Sequence, residues 1–193
     1  AELTAPLPDL PDSLVHLNCS NNNLTALPAL PARLTYLDCS YSQLASLPDP
    51  LPPGLLQLKC NGNRLASLPP LPVALATLDC AFNNLATLPA PLPPNLTHLD
   101  CGHNVLRRLP DLPPTLKYLK CEEQRHGMEE LPALQHTALV HLECGYNGLL
   151  SLPTLPVSLV YLSCDGNNLS SLPALPGCLR GLKSQRGMGS ESS

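Results

Sequence analysis

The sequence predicts a solenoid: a stack of short, near-identical units whose strands pair into one parallel sheet, with extended backbone and few helices on the opposite side. Three observations predict it. The 193-residue chain holds 24 prolines, too many for an ordinary helical domain, since each proline removes a backbone donor and fixes φ. Its 44% content of hydrophobic residues is equally foreign to a disordered chain. Finally, eight cysteines (Cys19, Cys39, Cys60, Cys80, Cys101, Cys121, Cys144, Cys164) recur at gaps of 20, 21, 20, 21, 20, 23 and 20 residues. Around each the same frame returns, L-x-x-L-x-C-x-x-N-x-L-x-x-L-P-x-L-P, and self-similarity at such a period is the mark of a stacked array.

The frame is the leucine-rich-repeat signature, and each of its parts has a physical reason. L-x-C alternates apolar and other residues, as a short strand with one buried face requires. One unit cannot bury its own apolar face, so neighbours stack and share a continuous core. Eight full repeats of 20–23 residues open at Leu14, Leu34, Leu55, Leu75, Leu96, Leu116, Leu139 and Leu159. A half-unit (Leu7, Pro8, Leu10, Pro11) precedes them, and a decayed one follows from Leu179 with Ser184 in the cysteine slot. The expected organisation is therefore a repeat domain over 1–182 and a flexible tail over 183–193.

After the strand, the Asn slot turns the chain, its amide satisfying backbone groups in a tight bend. Six units keep Asn; Ser42 and Gln124 are the exceptions. L-P-x-L-P suits polyproline-like backbone and opposes helices on the convex side. The cysteines occupy an inward strand position, where a thiol acts as a small hydrophobe. Disulfides are the competing reading. In-register parallel strands offer a poor geometry for them, and nine cysteines with Cys178 out of register fit a reducing compartment better. Cys178 is expected in a loop, and is either a reactive thiol or an inert substitution.

Several function classes are excluded. A formal charge of −4 with only 11 Lys and Arg argues against nucleic acid and anionic membranes. Proline interrupts every apolar run long before the ~20 residues of a membrane span. The H-x-x-C pairs His16/Cys19, His98/Cys101 and His141/Cys144 are not metal ligands, because an offset of three on a strand points the two side chains to opposite faces. No nucleophile elbow, phosphate loop, dinucleotide motif or carboxylate pair stands out, so neither a catalytic centre nor a cofactor is expected.

What varies lies between the inward residues. Four slots face out from the sheet. The slot before the second Leu reads His16, Tyr36, Gln57, Thr77, His98, Tyr118, His141, Tyr161. The slot before Cys reads Asn18, Asp38, Lys59, Asp79, Asp100, Lys120, Glu143, Ser163. The two after it read Ser20, Ser40, Asn61, Ala81, Gly102, Glu122, Gly145, Asp165 and Asn21, Tyr41, Gly62, Phe82, His103, Glu123, Tyr146, Gly166. All six aromatics of the chain fall in the first and last of these slots. Aromatic residues anchor protein interfaces, and solvated decoration of a strand surface does not explain their absence elsewhere. The candidate partner-binding residues are Tyr36, Asp38, Tyr41, Lys59, Asp79, Phe82, His98, Asp100, His103, Tyr118, Lys120, Glu122, Glu143, Tyr146, Tyr161 and Asp165, lining a concave face that takes a protein.

The sixth unit departs from the frame. Two extra residues precede Leu131 in the stretch from Glu122 to Glu130, and Met128 is expected to fill the displaced Leu slot. The insertion reads either as a charged protrusion that helps choose a partner or as a tolerated loop.

At the level of Leu27-Pro28-Ala29-Leu30-Pro31 and Leu109-Pro110-Asp111-Leu112-Pro113-Pro114, the chain resembles the short repeats of bacterial type III secreted effectors of the YopM and IpaH type, over residues 7–182. The resemblance implies a host-protein recognition module, secreted by bacteria into the host cytoplasm. In the IpaH branch it implies the substrate-recognition domain of an E3 ubiquitin ligase, whose catalytic cysteine sits in a separate C-terminal helical domain, a partner in cis. In the YopM branch it implies a non-enzymatic scaffold. A receptor-like extracellular repeat domain is the remaining alternative. Nothing in this sequence matches the ligase domain or the N-terminal helical cap of the family, so the chain is expected to be a fragment of a longer parent without enzymatic activity of its own.

Overall fold

A computed structural model describes residues 7–184. Its strands are β1 (His16–Asn18), β2 (Tyr36–Asp38), β3 (Gln57–Lys59), β4 (Thr77–Asp79), β5 (His98–Asp100), β6 (Tyr118–Lys120), β7 (His141–Glu143), β8 (Tyr161–Ser163) and β9 (Gly181–Lys183). They form a single parallel sheet in chain order. Among the described residues there is no helix, as the L-P-x-L-P linkers require, and so none long and apolar enough to cross a membrane. The decayed last repeat still contributes β9. The tail beyond Ser184 and the first six residues lie outside the described segment.

Each strand is three residues centred on the second Leu of its repeat, one residue short of the L-x-C strand expected. Cysteine stands just past the strand, but its N–H keeps the ladder going: Cys19 donates to Asp38 O and Cys80 to Asp100 O, both at 2.8 Å. The register stacks like on like, Leu58 on Leu78 and Leu78 on Leu99. The result is one continuous core of leucines and all eight frame cysteines, with Leu34, Leu58, Cys60, Leu75, Cys80, Leu96 and Cys101 at 1% exposure or less. At the ends, where a repeat has one neighbour, burial falls: Leu17 is half-buried and Leu182 exposed. Burying a leucine is worth roughly 1.5–3 kcal/mol, and only the stack makes that burial available.

The asparagine slot forms a second ladder. In Asn83, Nδ2 donates to the carbonyls of Cys60, Cys80 and Ala81 (3.0–3.1 Å), while Oδ1 accepts from Leu65 N of the preceding repeat. Asn63, Asn104 and Asn167 repeat the pattern. Gln124 does so in the irregular unit, reaching Cys101 O, Cys121 O and Glu122 O and accepting from Leu106 N. Ser42 is too short, and its buried hydroxyl finds no partner.

No two cysteines are bonded. The thiols of Cys39, Cys80 and Cys101 instead sit 3.4–3.5 Å from carbonyls of the next strand. Burial raises the frame thiols' pKa, to about 11 at Cys19 in the end repeat and well beyond at Cys60, Cys80 and Cys101, so they are packing groups and not nucleophiles. Cys178 is exposed. Its thiol, however, reaches Val157 O and Leu159 O at 3.0 and 3.2 Å. Thr115 and Ser158 bond equivalent carbonyls from the same slot of their repeats, so Cys178 stands in for a hydroxyl residue.

In the sixth repeat, Met128 takes the displaced core slot at 2% exposure. Gly127 makes the turn with φ +71°; a Cβ there would lie 2.7 Å from Asn147 O, so only glycine fits. The charges of the insertion turn back on the preceding repeat: Arg108 pairs with Glu129 (2.7 Å) and Glu130 (3.6 Å), and Arg107 with Glu129 (3.8 Å). Such exposed pairs add little stability.

Candidate protein-binding face

Period-2 alternation around each buried Leu sends its two strand neighbours outward. The register then stacks every slot of the sequence into a row along the solenoid axis, with a spacing of about 4.8 Å between repeats. The candidate residues therefore come together in four rows on one face.

The first row is a ladder of rings. His16 stacks on Tyr36 with centroids 4.0 Å apart, His98 on Tyr118 at 4.4 Å and His141 on Tyr161 at 4.6 Å, while Tyr118 and His141 lie tilted at 5.9 Å. Tyr161 then lies flat over Gly181, where a Cβ would come within 2.5 Å of its ring. His98 has its pKa lowered by partial burial and by Lys117, which favours the neutral, stacking imidazole.

The second and third rows carry the charge. Asp38 faces Lys59, Lys59 faces Asp79, Asp79 faces Asp100, Asp100 faces Lys120 and Lys120 faces Glu143. Lys120 Nζ lies 3.1 Å and His141 Nε2 2.6 Å from Glu143 Oε1. Burial alone would raise Glu143, but these bonds outweigh it and hold its pKa below the usual range. Asp79 and Asp100 form no ion pair among the described residues; each accepts only a main-chain N–H, from Ala81 and Gly102. Burial, reinforced by Asp100, pushes Asp79 up to about 6, and burial likewise raises Asp100. Glu122 folds over Gly102. Its Oε2 is buried without a hydrogen-bond partner, and burial raises its pKa too. At the far end Asp165 accepts from Ser163 Oγ at 2.7 Å, which lowers its pKa.

The fourth row holds a feature the sequence did not announce. All eight of its residues have positive φ: Asn21, Tyr41, Phe82, His103, Glu123 and Tyr146 at 51–56°, Gly62 and Gly166 at 65–66°. The left-handed region costs a non-glycine residue about 1–2 kcal/mol, and bulky side chains seldom enter it. The repeat imposes it because from Asn21 to Tyr146 these N–H groups turn onto the next repeat's carbonyl, as Tyr41 N does to Asn61 O (2.8 Å) and Phe82 N to Gly102 O (3.0 Å). The turn lifts the rings clear of the sheet. Tyr41, Phe82 and Tyr146 are 56%, 51% and 55% exposed. Tyr41 leans over Gly62 and Tyr146 over Gly166, while Phe82 stacks on His103 at 3.9 Å. His103 Nδ1 lies 3.3 Å from Glu123.

Phe82, His103, Glu123, Gln124, Arg125 and Tyr146 line an open hollow of about 660 Å³. Of these, the site residues named from the sequence include Phe82, His103 and Tyr146. Glu123 was legible as a member of the fourth slot. Arg125, whose Nη1 reaches Asn84 Oδ1 at 3.2 Å, sits in the irregular unit outside the frame, and no spacing signal points to it. The described residues contain no cluster of His, Cys, Asp or Glu able to hold a metal.

A short-strand parallel solenoid with a ring-lined, charged outer face is a binding scaffold of the leucine-rich-repeat class, and residues 13–32 match the Leucine Rich Repeat family. Solved structures narrow this. The chain is 37% identical to YopM from Yersinia enterocolitica (TM-score 0.76, covering 94% of this chain and 44% of that one). It is 36% identical to YopM from Yersinia pestis, described as a leucine-rich effector protein (TM-score 0.78, 92% and 56%). It is 34% identical to a Shigella effector leucine-rich-repeat domain (TM-score 0.69, 83% and 72%). No curated protein gives a significant sequence match. The chain belongs to the leucine-rich-repeat domains of bacterial effectors, and it spans about half the length of the YopM chains it matches.

Proposed function

We propose that this chain is the recognition domain of a secreted bacterial effector and that its sheet face binds a host protein in the host cytoplasm. The observation that carries this is the placement of every aromatic of the chain on that face, three of them raised into solvent on left-handed backbone. Rings with polar tips, flanked by unpaired charge, are what interface anchors consist of. The binding residues are Tyr36, Tyr41, Phe82, Tyr118, Tyr146 and Tyr161 as anchors. Asp38, Lys59, Asp79, His98, Asp100, His103, Lys120, Glu122, Glu143 and Asp165 supply orientation and steering. The free thiols of the cysteine column suit a reducing compartment.

The parent protein is proposed to be an effector E3 ubiquitin ligase whose substrate this domain selects, the resemblance of its L-P-x-L-P repeats to the IpaH branch supporting that reading. A non-enzymatic scaffold is the second reading, favoured by the identity to YopM over nearly the whole chain. A downstream helical domain bearing a reactive cysteine in the parent, with ubiquitin discharge in vitro, decides for the ligase; its absence decides for the scaffold. The binding face is tested with Tyr118→Ala/Tyr146→Ala. Titrated calorimetrically against a partner captured by the intact chain, the pair should cost more than about 2 kcal/mol of affinity with an unchanged melting temperature. Unchanged affinity removes the assignment.

A further inference from the structure

Between the ring ladder of the first row and the raised rings of the fourth runs a valley floored by the second and third rows. Its walls are five residues apart along the chain, no more than about 16 Å at about 3.3 Å per extended residue. An α-helix with its side chains is about 10–12 Å across, within that limit. At mid-length the third row is Ala81, Gly102, Glu122 and Gly145; the three small residues are buried and Glu122 folds over Gly102. There Asp79, Asp100 and Glu122 form no ion pair among the described residues, Lys59 flanks Asp79 in the register, and Glu143 is held by Lys120 and His141. Adjacent carboxylates on neighbouring parallel strands repel, and Glu122 keeps a buried oxygen with no donor. Such a floor is complementary to positive charge arriving from outside.

The spacing selects the form in which that charge arrives. Rows repeat every ~4.8 Å along the axis, and one face of an α-helix repeats every ~5.4 Å. Over three or four repeats the slip stays near 2 Å, within the reach of Lys and Arg side chains. An extended segment laid the same way presents one face every ~6.6 Å and loses register after two repeats.

We propose that the valley receives a cationic α-helix of the partner protein, laid along the solenoid axis, with Lys or Arg side chains one turn apart meeting Asp79 and Asp100 and its flanks resting on Tyr118 and Tyr146. This rests on the sheet face being the binding surface and specifies what that surface takes. A helix of about 13 residues, at about 1.5 Å each, spans the four central repeats.

The test uses the full chain and a blocked 15-residue Ala/Gln/Lys peptide with lysines at positions i, i+4, i+7 and i+11, locked helical by a hydrocarbon staple on the opposite face. Its control has the same charge and two central prolines. By calorimetry the stapled peptide should bind at least tenfold more tightly than the control. Asp79→Asn/Asp100→Asn, checked for an intact melt, should erase that margin, while Glu129→Gln, in the insertion and paired with Arg108, should leave it. Equal affinity for the two peptides, no binding of either at millimolar concentration, a Glu-for-Lys version of the helix that binds as well, or indifference to Asp79→Asn/Asp100→Asn would each overturn the helix. None of these touches the Tyr118→Ala/Tyr146→Ala result on the captured partner, so loss of the helix and loss of the binding face are separate outcomes.

Discussion

Leu78 and its neighbours Thr77 and Asp79 belong to one three-residue strand, yet they live under different constraints. Leu78 is 1% exposed in a column where every strand carries Leu. Thr77 and Asp79 sit in rows whose members run from Gln to His and from Lys to Asp. Inside, identical side chains tile a shared core and any change is felt by two neighbouring repeats. Outside, each residue meets water and its two row partners, so the surface is free to vary and to be selected for binding. The repeat thus separates stability from recognition at the level of single residues.

The hardest way to break that separation is to move charge inward. Leu78→Asp should cost about 4 kcal/mol or more, since a carboxylate would lose its hydration without gaining a partner. Thr77→Asp, one residue away, should stay within about 0.5 kcal/mol. Thermal melts followed by circular dichroism check both, and a cooperative melt of Leu78→Asp at the original temperature would refute the inside-outside assignment.

Next in size is the polar ladder. Asn104→Ala removes the acceptor of Leu85 N and the donor to Cys80, Cys101 and Gly102 carbonyls. Buried groups left unsatisfied cost about 1–3 kcal/mol each, so urea denaturation should show a loss of about 3 kcal/mol with folding retained. The opposite experiment is Ser42→Asn, which restores the missing rung. Satisfying the groups that the unbonded Ser42 hydroxyl cannot reach should add about 1 kcal/mol, and an unchanged denaturation midpoint would show that the gap at Ser42 is neutral.

The smallest effect is on the outside and depends on pH. The folded-state pKa of Asp79, about 6, lies above its unfolded value, so the native state holds the proton more tightly and the ionised carboxylate opposes folding. Burial causes this first, then the charge of Asp100, with Lys59 and the Ala81 N–H acting the other way and Asp38 adding a little. The opposition is complete above pH 6 and vanishes as pH falls below the unfolded carboxylate range. Asp79→Asn should therefore raise the melting temperature by one or two degrees at pH 7.5 and by nothing at pH 3.5. Solvent screening of a half-exposed group keeps the gain small. A larger gain at the acidic end would reverse the sign of the argument.

Much of this was legible without coordinates, because a repeat states each rule eight times over. Leu, Cys and Asn recurring in fixed slots identify the strand, the core and the bend, and Met128 could be placed in the core by counting past the insertion. The sites along the face were legible as slots. Their pairings were not: that His16, His98 and His141 each stack on a tyrosine, or that Glu122 folds over Gly102, depends on which neighbour a side chain leans toward. The strand also ends one residue before the cysteine, whose N–H still bonds the next repeat.

From residue order alone came the period, the choice of what lies inside, and the strip of rings and carboxylates outside, because burial follows side-chain chemistry and its periodicity. Three-dimensional packing alone put bulky Tyr41, Phe82 and Tyr146 on left-handed backbone. No local preference selects that conformation for an aromatic residue. It is enforced by the N–H groups that must reach the following repeat, and the same constraint holds the rings out where a partner can reach them.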